Sequence, residues 1–132
     1  MTTQTAVYGA VMAAAKAAGL HVEEGPARDL PTVDGLVAQA VVLWPAAGLH
    51  AYTRMSGTRS GRSDRVRAVC VGATGRDALA VADKLEAAVG GLRISEAGGT
   101  LRQTFATDPT PEPNTDPRRV SVAVEYAVIT KG

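Results

Sequence analysis

The sequence predicts an α+β fold: a mostly antiparallel sheet of four or five strands, with two helices packed on one face and two long loops. Two segments repeat apolar residues at helical spacing, several others alternate apolar and polar residues as strands do, and stretches rich in Gly or Pro separate them. The chain has 132 residues, which is the size of one domain. We therefore expect residues 1–132 to form a single domain.

Charge and hydropathy exclude several classes of protein. The 14 basic and 13 acidic side chains leave a formal charge of +1, without the overall field of a dedicated nucleic-acid or membrane-surface protein. No apolar run approaches the roughly twenty residues that span a bilayer, and the N-terminus lacks the basic and apolar segments of a signal peptide. We expect no membrane contact, and a protein that stays in the compartment where it is made.

The sequence offers few ligands for a metal. Cys70 is the single cysteine, so an internal disulfide is excluded. Its position between Val69 and Val71 predicts a buried small side chain. His21 and His50 lie far apart, and together with one cysteine they are too few for a closed zinc site. We expect neither a metal nor a cofactor.

Catalytic motifs are equally weak. The segment Gly72–Arg76 stands between a predicted strand and a predicted helix, where a phosphate-binding loop would lie, but it lacks the Lys-Ser/Thr ending and the full glycine spacing. Helix capping explains it better. Ser56, Ser60 and Ser63 show no nucleophile-elbow pattern. We expect that the protein is not an enzyme.

The first half of the chain predicts one helix and two strands. A helix is expected over Thr3–Ala18, with Gly19 as its stop. A short strand over Leu20–Glu23 and a loop follow. The run Leu36–Trp44 is nearly all apolar, which predicts a central strand covered on both faces.

The segment Ala46–Ser63 is rich in Gly, Ser, Thr and Arg, and it predicts a long loop or a floppy hairpin. Its small apolar content leads us to expect mobility in the free subunit and order on assembly. The next segment, Arg65–Val71, alternates as a strand and should pair with Leu36–Trp44.

The second half begins with the strongest helix. Thr74 is placed to cap it, with Asp77 at the third helical position, and Gly90-Gly91 ends it. Its apolar stripe consists of Ala78, Val81, Ala82, Leu85, Ala88 and Val89.

Three further segments complete the predicted fold. Leu92–Ser95 and Thr100–Ala106 are expected to form a short hairpin around glycines. Asp108–Pro117 carries four prolines and predicts a second long exposed loop. The closing segment Val120–Val128 alternates most regularly and predicts a strand.

One constellation stands out as a candidate interface. Five arginines fall within fourteen residues and follow a tyrosine: Tyr52, Arg54, Arg59, Arg62, Arg65 and Arg67. Arginine is favoured where carboxylates or phosphates are gripped at an interface, so an acidic protein surface or passing DNA is the expected contact. The alternative is a solvated loop.

Three segments carry a family resemblance. Val41–Pro45, Val69–Thr74 and Ala78–Leu85 resemble the tail terminator proteins of long-tailed bacteriophages, and the order of elements is similar over nearly the whole chain. The resemblance implies a structural virion protein without enzymatic activity. It would form a ring, usually of six copies, at the head-proximal end of the tail tube, stop tube polymerisation and offer a docking surface to the head connector.

The same resemblance implies partners and location. The partners would be further copies of the chain, the tail tube protein and the head completion or connector protein, with DNA only passing through the channel. The protein would be assembled in the host cytoplasm and reside in the virion tail. Two alternatives remain: another neck or connector component of the same particle, and an unrelated ligand-binding or enzymatic domain.

Overall fold

The computed structural model describes residues 4–25, 30–45, 49–52, 59–93, 99–113 and 117–130. Two helices and nine strands occur in these ranges. In chain order they are α1 Gln4–Ala17, β1 Val22–Glu24, β2 Thr32–Val33, β3 Leu36–Val37, β4 Ala40–Pro45, β5 Leu49–Tyr52, β6 Arg59–Gly72, α2 Gly75–Val89, β7 Arg102–Ala106, β8 Thr110–Pro111 and β9 Val120–Thr130.

One mixed sheet organises the chain. Its main order is β1-β4-β6-β9-β7, while β5 pairs with the first part of β6 and β8 pairs with the start of β9. The β1–β4 pair is parallel and the other pairs are antiparallel. Strands β2 and β3 form a separate antiparallel hairpin. The predicted α+β class and the mostly antiparallel sheet are confirmed.

Both helices pack on the same face of this sheet. The core combines one stripe of α1, one stripe of α2 and the even-numbered positions of the two longest strands, β6 and β9. Its central members are Val7, Val11, Ala15, Val81, Leu85, Ala68, Cys70, Val122, Val124 and Tyr126, all at most 2% exposed. Within the described ranges, neither helix has the length and hydropathy needed to cross a bilayer.

Helix α2 begins and ends as predicted. The backbone N–H of Asp77 donates to Thr74 Oγ1 at 3.2 Å, which satisfies one of the unpaired donors of the first turn. At the other end, the N–H of Gly90 donates to the carbonyl of Glu86 at 2.8 Å. The phenol of Tyr126 donates to Glu86 Oε2 at 2.6 Å, which ties β9 to the last turns of this helix.

The predicted single strand Leu36–Trp44 is wrong, because the chain divides into β3 and β4. The division follows from a hairpin that joins β2 to β3 through Asp34 and Gly35, whose φ angles are +53° and +78°. Two successive positive φ values define a type I′ turn, and Asp-Gly is among its preferred sequences. The N–H of Ala38 then donates to the carbonyl of Pro31 at 2.9 Å and closes the hairpin base.

The first predicted loop, Ala46–Ser63, contains a hairpin, as one of the two alternatives proposed. Leu49–Tyr52 pairs with Arg59–Ser63, which makes β6 fourteen residues long. The register shifts between Ala51 and Tyr52. Residues 46–48 and 53–58 lie outside the described residues.

The second predicted loop, Asp108–Pro117, also contains a short strand that the sequence did not predict. Thr110 and Pro111 pair with Ser121 and Val120 as the short strand β8. A proline is tolerated in such a short edge strand because its missing N–H is not needed for pairing with β9.

The expected hairpin of Leu92–Ser95 with Thr100–Ala106 is reduced in the described residues to one bridge between Arg93 and Thr100. Residues 94–98 lie outside the described ranges. Arg102–Ala106 instead forms β7, which pairs with β9.

Candidate protein interface on the helix-free face of the sheet

The face of the sheet opposite the helices carries a row of four side chains across four adjacent strands. Trp44 of β4 pairs with Arg67 of β6, Arg67 pairs with Glu125 of β9, and Glu125 pairs with Phe105 of β7. Residues directly paired across strands point to the same face, so these four form one continuous line. We call Trp44, Arg67, Glu125 and Phe105 the cross-strand row. Three strand spacings make it about 14 Å wide.

Glu125 lies within the row and forms ion pairs with two arginines of β6. Its Oε2 lies 3.8 Å from Arg67 Nη2, and its Oε1 lies 3.9 Å from Arg65 Nη1. The Glu125 side chain is 17% exposed, whereas that of Arg67 is 62% exposed. These separations are long for direct hydrogen bonds, and a solvent-exposed pair contributes only about 0–1 kcal/mol. The ion pairs therefore orient the side chains more than they stabilise the fold.

Aromatic rings stand at both ends of the row. Phe105 is 54% exposed and Trp44 is 38% exposed. Gly25 packs directly against the indole ring of Trp44, and a Cβ at position 25 would overlap that ring. The N–H of Gly25 also donates to the carbonyl of Leu43 at 2.9 Å, so the backbone is held against the indole. The ring is thus positioned by a close backbone approach that only glycine permits.

The remainder of the face divides into a charged end and an apolar end. Arg65 and Arg102 both pair with Ala127, which places a second pair of arginines beside the row. Toward the other end, Ala40, Val42 and Val71 are buried although they face away from the helices. Tryptophan, phenylalanine and arginine over an apolar base are the composition enriched at protein interfaces.

The predicted arginine cluster occupies two places in the structure. Arg65 and Arg67 lie on the helix-free face, beside Glu125. Arg59 pairs in register with Tyr52, and Arg62 pairs with His50, all in the β5–β6 hairpin. Because β6 is extended, Arg59 and Arg67 are about 27 Å apart along the strand. Among the described residues, four arginines of the cluster, at positions 59, 62, 65 and 67, therefore follow one strand, and we call them the arginine stripe.

Arg54 lies outside the described residues. For Tyr52, Arg59 and Arg62, the structure defines the pairing of the backbone in the β5–β6 hairpin. No structural finding tests their proposed role, and it stays a prediction.

Sequence reasoning missed three of the four residues in the row. Trp44 falls in a strand predicted to be covered on both faces, Glu125 falls in an alternating segment, and Phe105 falls in one arm of a predicted hairpin. The alternation of β9 correctly placed Glu125 opposite the buried valines, and that was the available signal. Its position beside Arg65 and Arg67 depends on strand register between segments some sixty residues apart in the sequence.

Two buried ionisable side chains, Cys70 and Tyr126, have raised pKa values. Burial raises the pKa of the Cys70 thiol to about 12, so the thiol is protonated at neutral pH. Burial, and after it the hydrogen bond to Glu86, raises the pKa of Tyr126. Among the residues that the structure describes, no three His, Cys, Asp or Glu side chains come together as metal ligands. The arrangement on the helix-free face supports non-covalent contact with another macromolecule.

The described residues thus define a small α+β protein with a candidate binding surface on its helix-free face. No protein-family model matches the sequence. No curated protein matches it either. Among solved structures, the fold is similar to a chain in the virion of a native gene transfer agent particle, with a TM-score of 0.63 and 19% sequence identity. The match covers 98% of this chain and 94% of that chain, so the two share one fold over nearly their full length.

Proposed function

We propose that the protein is a structural component of a phage-like virion. The observation that carries the proposal is the full-length similarity to a chain of a gene transfer agent virion. The segments that resemble tail terminator proteins lie on β4, on the end of β6 and on α2, which are central elements of this shared fold. The cross-strand row adds a surface suited to contact with another protein.

Within the virion, we propose that copies of the chain form a ring at the head-proximal end of the tail tube. There the ring ends tube polymerisation and provides the docking surface for the head connector, so the role is assembly and not catalysis. A ring requires two different patches on each subunit that meet head to tail. The helix-free face supplies one such patch, and the fold offers others at the edges of its sheet.

The experiment that tests this role is assembly of particles without the chain. Tail tubes made in its absence should vary widely in length and should fail to join heads, and supplying the purified protein should restore joining. Tails of normal length that still lack heads would instead favour another neck or connector component. Tails and heads that join normally without the chain would overturn the structural role.

A further inference from the structure

The β2–β3 hairpin presents two apolar side chains to solvent. Val33 and Leu36 are directly paired across the hairpin, on either side of the Asp34-Gly35 turn. Val33 is 63% exposed and Leu36 is 59% exposed, more than any other large hydrophobic residue in the described ranges. We call Val33, Asp34 and Leu36 the hairpin tip. The type I′ turn holds these side chains in a defined arrangement.

The fold of the subunit does not account for this exposure. Strands β2 and β3 form a sheet of their own, and they make no extensive contact with any other described helix or strand. A two-stranded hairpin alone is marginally stable in water, and of the four strand residues in this hairpin Val37 is buried while the other three are exposed. Exposed apolar side chains that lie side by side, as Val33 and Leu36 do, are typical of a surface that another protein covers.

The hairpin tip and the cross-strand row are complementary in charge and in apolar character. The tip carries one carboxylate, Asp34, between two aliphatic side chains. The row offers exposed aromatic rings, and with the neighbouring Arg65 its surface carries two arginines against the single carboxylate of Glu125. An acidic, aliphatic tip therefore matches an arginine-rich, aromatic surface on the same chain.

We propose that the hairpin tip of one copy docks on the cross-strand row of the next copy. This inference rests on the proposed ring and names the contact that builds it. Each subunit would give its tip to one neighbour and receive a tip from the other. Since the two patches differ, a dimer still has one free patch of each kind, and association continues until the ring closes.

The test uses two variants that each carry one new cysteine, Leu36→Cys and Phe105→Cys, with a mass tag on one of them. The two proteins are mixed, in solution and with tail tubes from particles that lack the chain, and are then oxidised. A docked pair raises the effective concentration of the two thiols, so the mixed disulfide-linked dimer should form at least about tenfold more than in the control. The control mixture pairs Leu79→Cys with Phe105→Cys, because Leu79 is an exposed leucine of α2 outside both patches. The native Cys70 is buried and should not interfere.

The mass of the wild-type assembly is measured in parallel. A mixed dimer in excess over the control supports the docking. A discrete wild-type assembly without this excess overturns the docking and leaves the ring standing. If the wild-type protein forms no assembly in solution or on tubes, the ring and the docking both fail.

Discussion

Cys70 and Tyr126 are buried ionisable groups whose raised pKa values make the stability of the fold sensitive to alkaline pH. Their ordinary pKa values are 9.0 and 10.0, and burial raises both in the folded protein. Above the ordinary values, the unfolded chain releases protons that the folded chain retains. The free energy of unfolding therefore falls as pH rises, by up to about 1.4 kcal/mol per pH unit for each group.

We predict that the free energy of unfolding is steady near neutral pH and declines above about pH 9, where the Cys70 thiol of the unfolded chain begins to ionise. Cys70→Ala and Tyr126→Phe should each reduce the alkaline decline. Urea unfolding at a series of pH values measures this effect. A decline of unchanged steepness in both variants would show that other groups govern alkaline unfolding.

At the scale of single elements, α2 depends on its cap and on the turn that precedes it. We predict that Thr74→Ala lowers the free energy of unfolding by about 1 kcal/mol, because Thr74 Oγ1 accepts from the N–H of Asp77. Thr74→Ser keeps the hydroxyl and serves as the matched control. Equal losses in the two variants, measured by denaturant unfolding, would mean that the methyl group and not the cap is responsible.

Two glycines give opposite predictions for the same substitution. At Gly72, the last residue of β6, an added Cβ would lie 2.5 Å from the Asp77 Cβ and 2.8 Å from the Ala78 nitrogen of α2. At Gly9, inside α1, it would meet nothing within 4 Å. Gly72→Ala should cost about 1–3 kcal/mol through overpacking.

Gly9→Ala should stabilise by about 0.5–1 kcal/mol, because alanine loses less conformational entropy in a helix. Thermal unfolding of the two variants measures both effects. A Gly72→Ala variant as stable as the parent would mean that the close approach of strand and helix is not required.

The elements that the sequence predicted well are those whose pattern is local and long. Helix α2 and strand β9 each repeat one period over nine residues or more, and burial follows that period in the described residues. Strand β8 is not predicted, because it is only two residues long and is held by its pairing with β9. The pairing of β5 with the start of β6 is the hairpin that was one of two alternatives for Ala46–Ser63. The Asp34-Gly35 turn is a local hairpin signal, but it falls in the segment predicted to be a loop, directly before the apolar run Leu36–Trp44.

Most of the candidate site could not be predicted from the sequence, because long-range strand pairing brings its residues together. The predicted Arg65 and Arg67 lie on it, but Trp44, Glu125 and Phe105 join them only through the register of four strands. A shift of one residue in any pairing would turn these side chains to the opposite face. Composition can indicate an arginine-rich surface, but only the pairing identifies its neighbours.

At the scale of the whole molecule, Arg59 and Arg62 lie on the part of β6 that pairs with β5, before Val66, which is the first residue of β6 described as part of the core cluster. We predict that replacing both Arg59 and Arg62 by Glu spares the fold, measured as an unchanged free energy of unfolding. Head joining should fail, because like charges would face an acidic partner or DNA phosphates, with the largest effect at low salt.

The matched control for this pair reverses two exposed arginines elsewhere, Arg76 and Arg118. Particle yield and tail length in the control should equal those of the wild type. Normal particles with the Arg59→Glu and Arg62→Glu double variant would show that this part of the arginine stripe is only solvated.

The central claim, that the chain is a ring-forming virion subunit, is tested most directly by mass. Native mass spectrometry of the protein in solution and of the species released from the ends of purified tails measures the assembly. The ring predicts a single species at a discrete multiple of 13.6 kDa. A protein that is monomeric or dimeric in solution and absent from the tail ends would contradict the claim.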